Sequence, residues 1–247
     1  MNVVLIVGSA PDAVRVKSLD LSLFKSHVAI NNAWRLKHVW DYVIYPEDFP
    51  NERQPKNAFI IKKIVTAKEY VPVQNKFGGF VYAGGTMAFT AGYWALGALK
   101  PNVIAYLGCD MIYGNNVSNN HFYGKGNPDP LRDDISLQSL EAKSARLMAI
   151  AKFNNCLIVN LSEQDRSRLL FPRIKINYLK KKQTISNLIN IDNIKLNLNF
   201  FKKALNFEKK LNYIVPSGRY WEYKKSFDPM QLRKIDQLWL ETPQYNY

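Results

Sequence analysis

The sequence predicts an α/β fold in which a mostly parallel sheet carries helices on both faces. Short apolar runs alternate with segments of helical period along residues 1–165. The runs are continuous, which is typical of parallel strands covered on both sides. Most of them end in Gly, Asn or acidic residues, where open α/β sheets place their ligands. We therefore expect one Rossmann-like α/β domain over residues 1–171 and a basic, aromatic-rich C-terminal extension over residues 172–247.

The first two predicted strands end in short polar turns. Asn2 to Val7 leads into Gly8 to Pro11, a turn of the kind that opens many nucleotide-binding folds. A plain strand-to-helix turn is the alternative. No GxGxxG pattern or Walker A sequence occurs, so neither dinucleotide binding nor P-loop chemistry is predicted. The second strand, His27 to Ile30, ends in Asn31 and Asn32, whose amides suit a sugar or a base or, alternatively, a turn.

Two further strands are predicted before the centre of the chain. Asp41 to Tyr45 ends at Pro46, and Phe59 to Val65 follows it. The adjacent acids Glu47 and Asp48 indicate a turn, and no Asp-x-Asp motif occurs. The sequence therefore predicts no metal site.

The central stretch combines a glycine-opened helix with a strand that ends near an acid. Gly84 and Gly85 allow a close backbone approach, and Thr86 can cap a helix that runs to Leu99, so its first turn presents unpaired N–H groups to an anion. Asn102 to Leu107 is the next buried strand, and Asp110 follows its end. A tightly packed helix–strand pair without a ligand is the alternative.

A long polar segment follows Tyr113. Loops of this length inside a compact domain are usually functional or disordered, and the embedded His121 and Lys125 favour function. A helix over Ile135 to Phe153 comes next, and Asp134 is expected to cap it. Its polar side chains are expected to meet solvent; they are Gln138, Glu141, Lys143 and Arg146. The strand Cys156 to Leu161 completes the sheet.

The composition limits the class of protein. The chain has 247 residues and 47% hydrophobic content, enough for a sizeable core. No apolar run approaches the roughly 18 residues that span a bilayer, and the start lacks the features of a signal peptide. Cys109 and Cys156 lie in apolar runs without metal-ligand spacing. We expect a cytoplasmic protein with reduced core thiols and neither a disulfide nor zinc.

The net charge of +14 is concentrated near the C-terminus, where residues 172–247 hold 15 Lys and Arg against 6 Asp and Glu. Aromatic residues lie beside lysines in Tyr178 to Lys182, Phe200 to Lys203 and Tyr220 to Lys225. Such a surface suits an anionic inner membrane face, a phosphorylated acceptor or nucleic acid, and a solvated surface is the alternative.

The order of these elements resembles the bacterial CMP-sialic-acid-dependent sialyltransferases and the related motility-associated (Maf-like) glycosyltransferases. The shared pattern is a strand with Gly-x-x-Pro, a strand ending in Asn, a helix closing on Ala-Leu-Gly, a strand ending in Gly-x-Asp-x-x-Tyr, and a His-aromatic-x-Gly loop. The resemblance covers about residues 1–165 and is strongest over Gly84 to Tyr113. It implies a glycosyltransferase that uses a CMP-activated acidic sugar as donor substrate, without a metal or other cofactor, to modify a surface glycan or glycolipid.

Residue roles follow from the resemblance by position. The positions that bind the CMP portion correspond to Gly8, Ser9, Asn31, Asn32, Gly85 and Thr86, with Asp110 near the cytidine ribose or sugar. Tyr113 matches one tyrosine that assists the phosphate leaving group, while a second tyrosine has no counterpart. The family's catalytic histidine position holds Lys125 here. The donor therefore stays open between sialic acid, a Kdo-like sugar and another nucleotide sugar.

The candidate base is His121. It alone of the three histidines lies in the long loop, and a neutral imidazole suits proton transfer near pH 7. Lys125 and Tyr113 are expected to face the donor phosphate, with Arg132 as a reserve cation. Anchoring of the loop is the alternative role of His121, and an inward-turned acid, Asp133 or Asp134, would replace it as base.

Two other classes of protein remain open. A nucleic-acid-binding protein would use the basic charge, but single-strand binding needs aromatics on a sheet face, so no nucleic acid is expected. In a non-catalytic nucleotide-binding or assembly protein, the glycine-opened helix would serve binding or packing alone. The expected partners of the transferase are a nucleotide-sugar donor, a glycan or glycolipid acceptor and a peripheral membrane contact.

Overall fold

The computed structural model describes residues 1–56, 58–114, 120–124, 133–180 and 194–245, so Lys125 and Arg132 lie outside the described residues. Six parallel strands form the main sheet in the order β4-β3-β2-β1-β5-β6. The strands are β1 (Val3–Val7), β2 (Ser26–Ile30), β3 (Val39–Ile44), β4 (Ile60–Val65), β5 (Val103–Leu107) and β6 (Leu157–Asn160). The predicted Rossmann-like parallel sheet is confirmed.

The strand order reverses between β1 and β5. The chain builds outward from β1 to β4 and then returns to the other side of β1, where Val7 pairs with Leu107. The turn after β1 is tied to the end of β5, since the Gly8 N–H donates to Leu107 O at 2.9 Å and the Ala10 N–H to Gly108 O at 2.9 Å. Open α/β sheets bind ligands outside such a switch point.

The two faces of the sheet are covered differently. One face carries the four helices α1 (Ala67–Lys76), α2 (Phe80–Ala83), α3 (Met87–Trp94) and α4 (Leu140–Phe153). The opposite face is covered by the 3-10 segments Pro11–Ser18, Leu21–Leu23 and Asn31–Leu36 and by the single turn α5 (Asn177–Lys180). Helices therefore lie on both faces, as predicted, and within the described ranges the long α-helices lie on one of them.

Helix α3 lies at the centre of the helical face. All eight of its residues are buried, and it continues as a π-helical turn over Ala95–Leu99. Lys100 ends it in the left-handed conformation, with φ 46°. The Tyr106 hydroxyl of β5 donates to Ala88 O at 3.0 Å and fixes the helix on the sheet. The predicted central, buried helix is confirmed.

Helix α4 differs from its prediction in two respects. Asp134 caps only the 3-10 turn Ile135–Leu137, and Ser139 caps α4 itself by accepting from the Ala142 N–H at 3.1 Å. The expectation that its polar face meets solvent is wrong for Lys143 and Arg146, which are each 1% exposed. Carboxylates from the distant end of the chain cover these two cations.

Two C-terminal helices, α6 (Leu198–Leu211) and α7 (Pro229–Leu240), pack on this face. The strands β7 (Ile194–Leu196) and β8 (Pro243–Tyr245), which flank these helices in the chain, pair as a small antiparallel sheet. Arg146 makes a bidentate pair with Glu208, at 2.8 and 2.7 Å, and also donates to the Tyr93 hydroxyl at 2.7 Å. Lys143 pairs with Asp236 at 2.6 Å. The described part of residues 172–247 thus shares one core with the sheet.

Both cysteines are buried free thiols, as predicted. Burial raises the pKa of Cys156 to about 12, so it stays protonated. Among the residues described, no helix has the length and apolar character needed to span a bilayer.

Candidate functional site

A cavity of about 770 Å³ opens at the carboxyl ends of the strands. It lies against the turns after β1, β2, β3 and β5, the start of α3, part of the 120–123 segment and residues from 217–224. The C-terminal residues thus form one wall of a cavity whose floor is the switch point. Its volume falls in the range of about 300–1,000 Å³ that is typical of small-molecule sites.

Gly8 and Ser9 form the part of the wall that follows β1. A Cβ atom at Gly8 would lie 2.4 Å from Gly108 O, so glycine is required here by the contact between the two strand ends. The Ser9 hydroxyl lies 2.9 Å from His121 Nδ1, and Ser9 O accepts from the Phe122 N–H at 3.0 Å. Ser9 therefore holds residues 120–124, which we call the histidine segment, against the switch point.

His121 is surrounded by aromatic rings in the cavity wall. Its ring stacks on Tyr123 at a centroid distance of 4.9 Å and lies 6.5 Å from the ring of Tyr113. Asn120 is 3% exposed, and its side-chain oxygen accepts from the Gly114 N–H at 2.9 Å. This hydrogen bond ties the start of the histidine segment to the residue that follows Tyr113. The structure thus brings the predicted residues His121 and Tyr113 together.

Asn31 and Asn32 present an unusual pair of amides. Both line the cavity, and their Oδ1 atoms are buried without a hydrogen-bond partner in the described part of the chain. Asn32 is 3% exposed, and Asn31 adopts a positive φ of 49°. A buried acceptor left unpaired costs about 1–3 kcal/mol. Unpaired polar groups and strained backbone are typical of functional sites.

The start of α3 also faces the cavity. The N–H groups of Thr86, Met87 and Ala88 make no hydrogen bond within the described residues, and all three residues line the cavity. Gly85 is one of the positions that the resemblance assigns to CMP, and its N–H donates to the Ser136 hydroxyl at 2.9 Å. The anion-binding capacity predicted for this turn therefore rests on the three later N–H groups.

Tyr220, which sequence reasoning missed, links the C-terminal wall to this turn. Its hydroxyl donates to Asp134 Oδ2 at 2.7 Å, and Ser136 donates to Asp134 Oδ1 at 2.7 Å. A Cβ atom at Gly85 would lie 1.9 Å from the Tyr220 hydroxyl, so glycine is needed for this packing. The only sequence signal for Tyr220 was its place in a run of aromatic residues and lysines. Asp134 is thus turned inward, as one alternative allowed.

Asp110 does not join the other predicted residues. Its carboxylate accepts from Asn160 Nδ2 at 3.1 Å and from the Ser162 hydroxyl at 2.8 Å, and it is absent from the cavity wall. It is 3% exposed and ties the end of β5 to that of β6. Gly8, Asn31 and Gly85 therefore line one cavity, whereas Asp110, which the resemblance implies to lie near the cytidine ribose or sugar, does not.

Charged residues of both signs line the cavity. Arg219 on the C-terminal wall pairs with Glu47 beyond β3 at 3.4 Å, and both of these lining side chains are about half exposed. Burial, together with the charges of Glu47 and Asp48, raises the pKa of Tyr70 to about 12, so it remains a neutral hydroxyl. Within the described ranges, no three His, Cys, Asp or Glu side chains cluster as a metal site.

No family model, curated protein or solved structure matches this chain, so the functional argument rests on its geometry and its sequence.

Proposed function

We propose that the chain is a glycosyltransferase that binds a CMP-activated acidic sugar in the 770 Å³ cavity and transfers the sugar to a surface glycan. The observation that carries this proposal is that an open helix N-terminus lines the same cavity as the buried, unpaired amide oxygens of Asn31 and Asn32. One feature suits a phosphate and the other suits the polar edge of a base or sugar.

The donor phosphate is assigned to the N–H groups of Thr86, Met87 and Ala88. The positive end of the helix dipole stabilises negative charge there, and the charge grows when the glycosyl bond breaks. The cytidine then extends past Gly8 towards Asn31 and Asn32. This arrangement leaves the sugar beside the histidine segment.

His121 is assigned as the general base. The acceptor hydroxyl attacks the anomeric carbon and gives its proton to the imidazole, while the bond from that carbon to the phosphate oxygen breaks. The electron pair stays on the phosphate of the departing CMP, and the Tyr113 hydroxyl can donate a hydrogen bond to it. Ser9 is assigned to hold the tautomer in which His121 Nδ1–H donates to the Ser9 hydroxyl, so that Nε2 carries the lone pair that takes the proton.

Asp134 is the second candidate base, because it lines the cavity and its carboxylate is buried. Both of its oxygens already accept hydrogen bonds, from Ser136 and Tyr220. We therefore assign it the role of holding the C-terminal wall against the start of α3.

The test combines binding with turnover. Calorimetry with CMP should show micromolar binding that UMP and AMP do not match, and a CMP-sugar donor should be consumed. His121→Ala should bind CMP normally and lose turnover, whereas Asp134→Asn should retain it. Full turnover in His121→Ala would overturn the assignment of the base, and salt-sensitive oligonucleotide binding without a response to CMP would overturn the transferase.

A further inference from the structure

The segment Arg219 to Ser226 forms a ridge on the surface, which we call the aromatic ridge. Two buried rings anchor it: Tyr220 is 2% exposed and Phe227, directly after it, is 7% exposed. Between these anchors every side chain from Trp221 to Ser226 is exposed. The ridge is thus anchored to the core by its two buried rings, while the side chains between them are exposed to solvent.

Large apolar side chains stand on both flanks of the aromatic ridge. Trp221 is 50% exposed and borders the 770 Å³ cavity. Tyr223, also 50% exposed, lines a second cleft of about 500 Å³ together with Ile214, which is 40% exposed. Exposed apolar side chains grouped in this way mark interaction surfaces.

Cations surround these apolar side chains. Lys224 and Lys225 lie on the ridge and are exposed. Lys209 and Lys210 are exposed in the last turn of α6, which ends next to the second cleft. Glu222 is the only acid on the ridge itself. The surface therefore combines aromatic rings with a surplus of lysine, the composition of interfacial membrane-binding segments.

We propose that the aromatic ridge docks on an anionic phospholipid surface. Trp221, Tyr223 and Ile214 enter the headgroup level, where amphipathic rings are favoured, and the lysines meet the lipid phosphates. Single-stranded nucleic acid would need a common stacking platform for successive bases. The two rings line different clefts and offer no such platform, whereas a fluid interface receives both flanks at once.

The tryptophans of this chain allow a direct test. Four of them are buried, at 4% exposure or less, and only Trp221 is half exposed; the buried ones are Trp34, Trp40, Trp94 and Trp239. Changes in emission on lipid binding therefore report on Trp221. The full chain is mixed with vesicles of phosphatidylglycerol and phosphatidylcholine, or of phosphatidylcholine alone, without any sugar donor. This assay does not depend on the proposed transferase activity.

With the anionic vesicles, Trp221 emission should shift to the blue, lose quenching by iodide and gain quenching by lipids with brominated acyl chains. The Trp221→Phe variant should lose the spectral change and still sediment with vesicles. The double variant Lys224→Glu/Lys225→Glu should bind roughly tenfold more weakly or worse.

The matched control is Lys17→Glu/Lys25→Glu, which makes the same charge change at two exposed positions on the 3-10 side of the sheet. Circular dichroism checks that both double variants fold. Equal binding of the two double variants would overturn the proposal, and so would Trp221 emission that brominated lipid leaves unchanged. Binding of a single-stranded oligonucleotide in place of vesicles would also contradict it.

Discussion

At the scale of single residues, the cavity contains groups that lower the stability of the empty protein. Asn32 buries an amide oxygen that the described residues leave unpaired. Asn32→Leu removes this acceptor while keeping the number and branching of the side-chain heavy atoms, so the free energy of unfolding without ligand should rise by about 1 kcal/mol. CMP affinity should fall at the same time. Denaturant melts and calorimetry measure the two effects, and a less stable variant with unchanged affinity would contradict the assignment.

The sequence and the structure point to two different roles for the Ser9 hydroxyl, and substitutions at this position distinguish them. The resemblance assigns it to the CMP portion, while the structure places it 2.9 Å from His121 Nδ1. If it orients the base, Ser9→Ala should lower kcat by roughly tenfold with little change in CMP affinity. Ser9→Thr, which keeps the hydroxyl, should restore activity.

Nitrogen NMR of His121 gives a second readout, because loss of the Ser9 hydroxyl should change the tautomer. A loss of CMP affinity without a change in tautomer would assign Ser9 to the donor instead.

His27 should make stability depend on pH. Burial lowers its pKa, and the charge of Asp41 only partly offsets this effect. The unfolded chain, with an ordinary histidine pKa of about 6.5, binds its proton at a higher pH than the folded chain. The free energy of unfolding should therefore fall as the pH drops below about 6.5. Denaturant melts should show that the free energy of unfolding changes less between pH 7.5 and pH 5.5 in His27→Phe than in the unsubstituted protein. An equal change in the two proteins would contradict this prediction.

At the scale of elements, the pairing between α4 and α7 makes a sharp prediction. Asp236→Asn leaves Lys143 buried without a carboxylate and should destabilise the fold by about 3–5 kcal/mol. Lys143→Met/Asp236→Leu removes both charges and should cost less than the single change. Glu241→Gln, an exposed charge removed directly after the same helix, is the control. Equal stability of the Asp236→Asn and Glu241→Gln variants would show that the pair is not required.

The elements that sequence reasoning predicted well are the ones whose signal is local. Short apolar runs, interrupted in β4 by Lys62 and Lys63, predicted all six strands of the main sheet within two residues at each end, and the small residues of α3 indicated a buried helix. The inward face of α4 was missed because Lys143 and Arg146 look solvated until Glu208 and Asp236 are placed beside them. The burial of these two cations depends on contacts with residues far away in the chain, which the hydrophobic periodicity of α4 does not reveal.

The candidate site divides in the same way. Strand ends locate Gly8 and Asn31, because parallel strands bring their carboxyl ends to one edge. The direction of an individual side chain is set by its neighbours, which is why Asp110 turns towards Ser162 and Tyr220 enters from the far end of the chain. The sequence therefore predicted which edge of the sheet carries the candidate site, but it did not predict all of the residues that line the cavity.

At the scale of the whole molecule, residues 194–245 form part of the core. A chain that ends at Phe171 would expose the helical face and leave Lys143 and Arg146 on it without their carboxylates. We expect this shortened chain to lack a cooperative thermal transition and to aggregate. Circular dichroism and gel filtration against the full chain measure this, and a soluble chain that unfolds cooperatively would contradict it.

The long reach of these ion pairs has a consequence for biosynthesis. Arg146 and Glu208 are 62 positions apart, and Lys143 and Asp236 are 93 positions apart. A ribosome that adds about 5–20 residues per second needs roughly 5–20 s to advance from Lys143 to Asp236. Strand β6 is completed early in that interval, and from then until Asp236 is added the finished sheet carries a helical face on which Lys143 has no carboxylate partner. We expect the nascent chain to be a substrate for chaperones during this time, because its folding can finish only when the last helix has been translated.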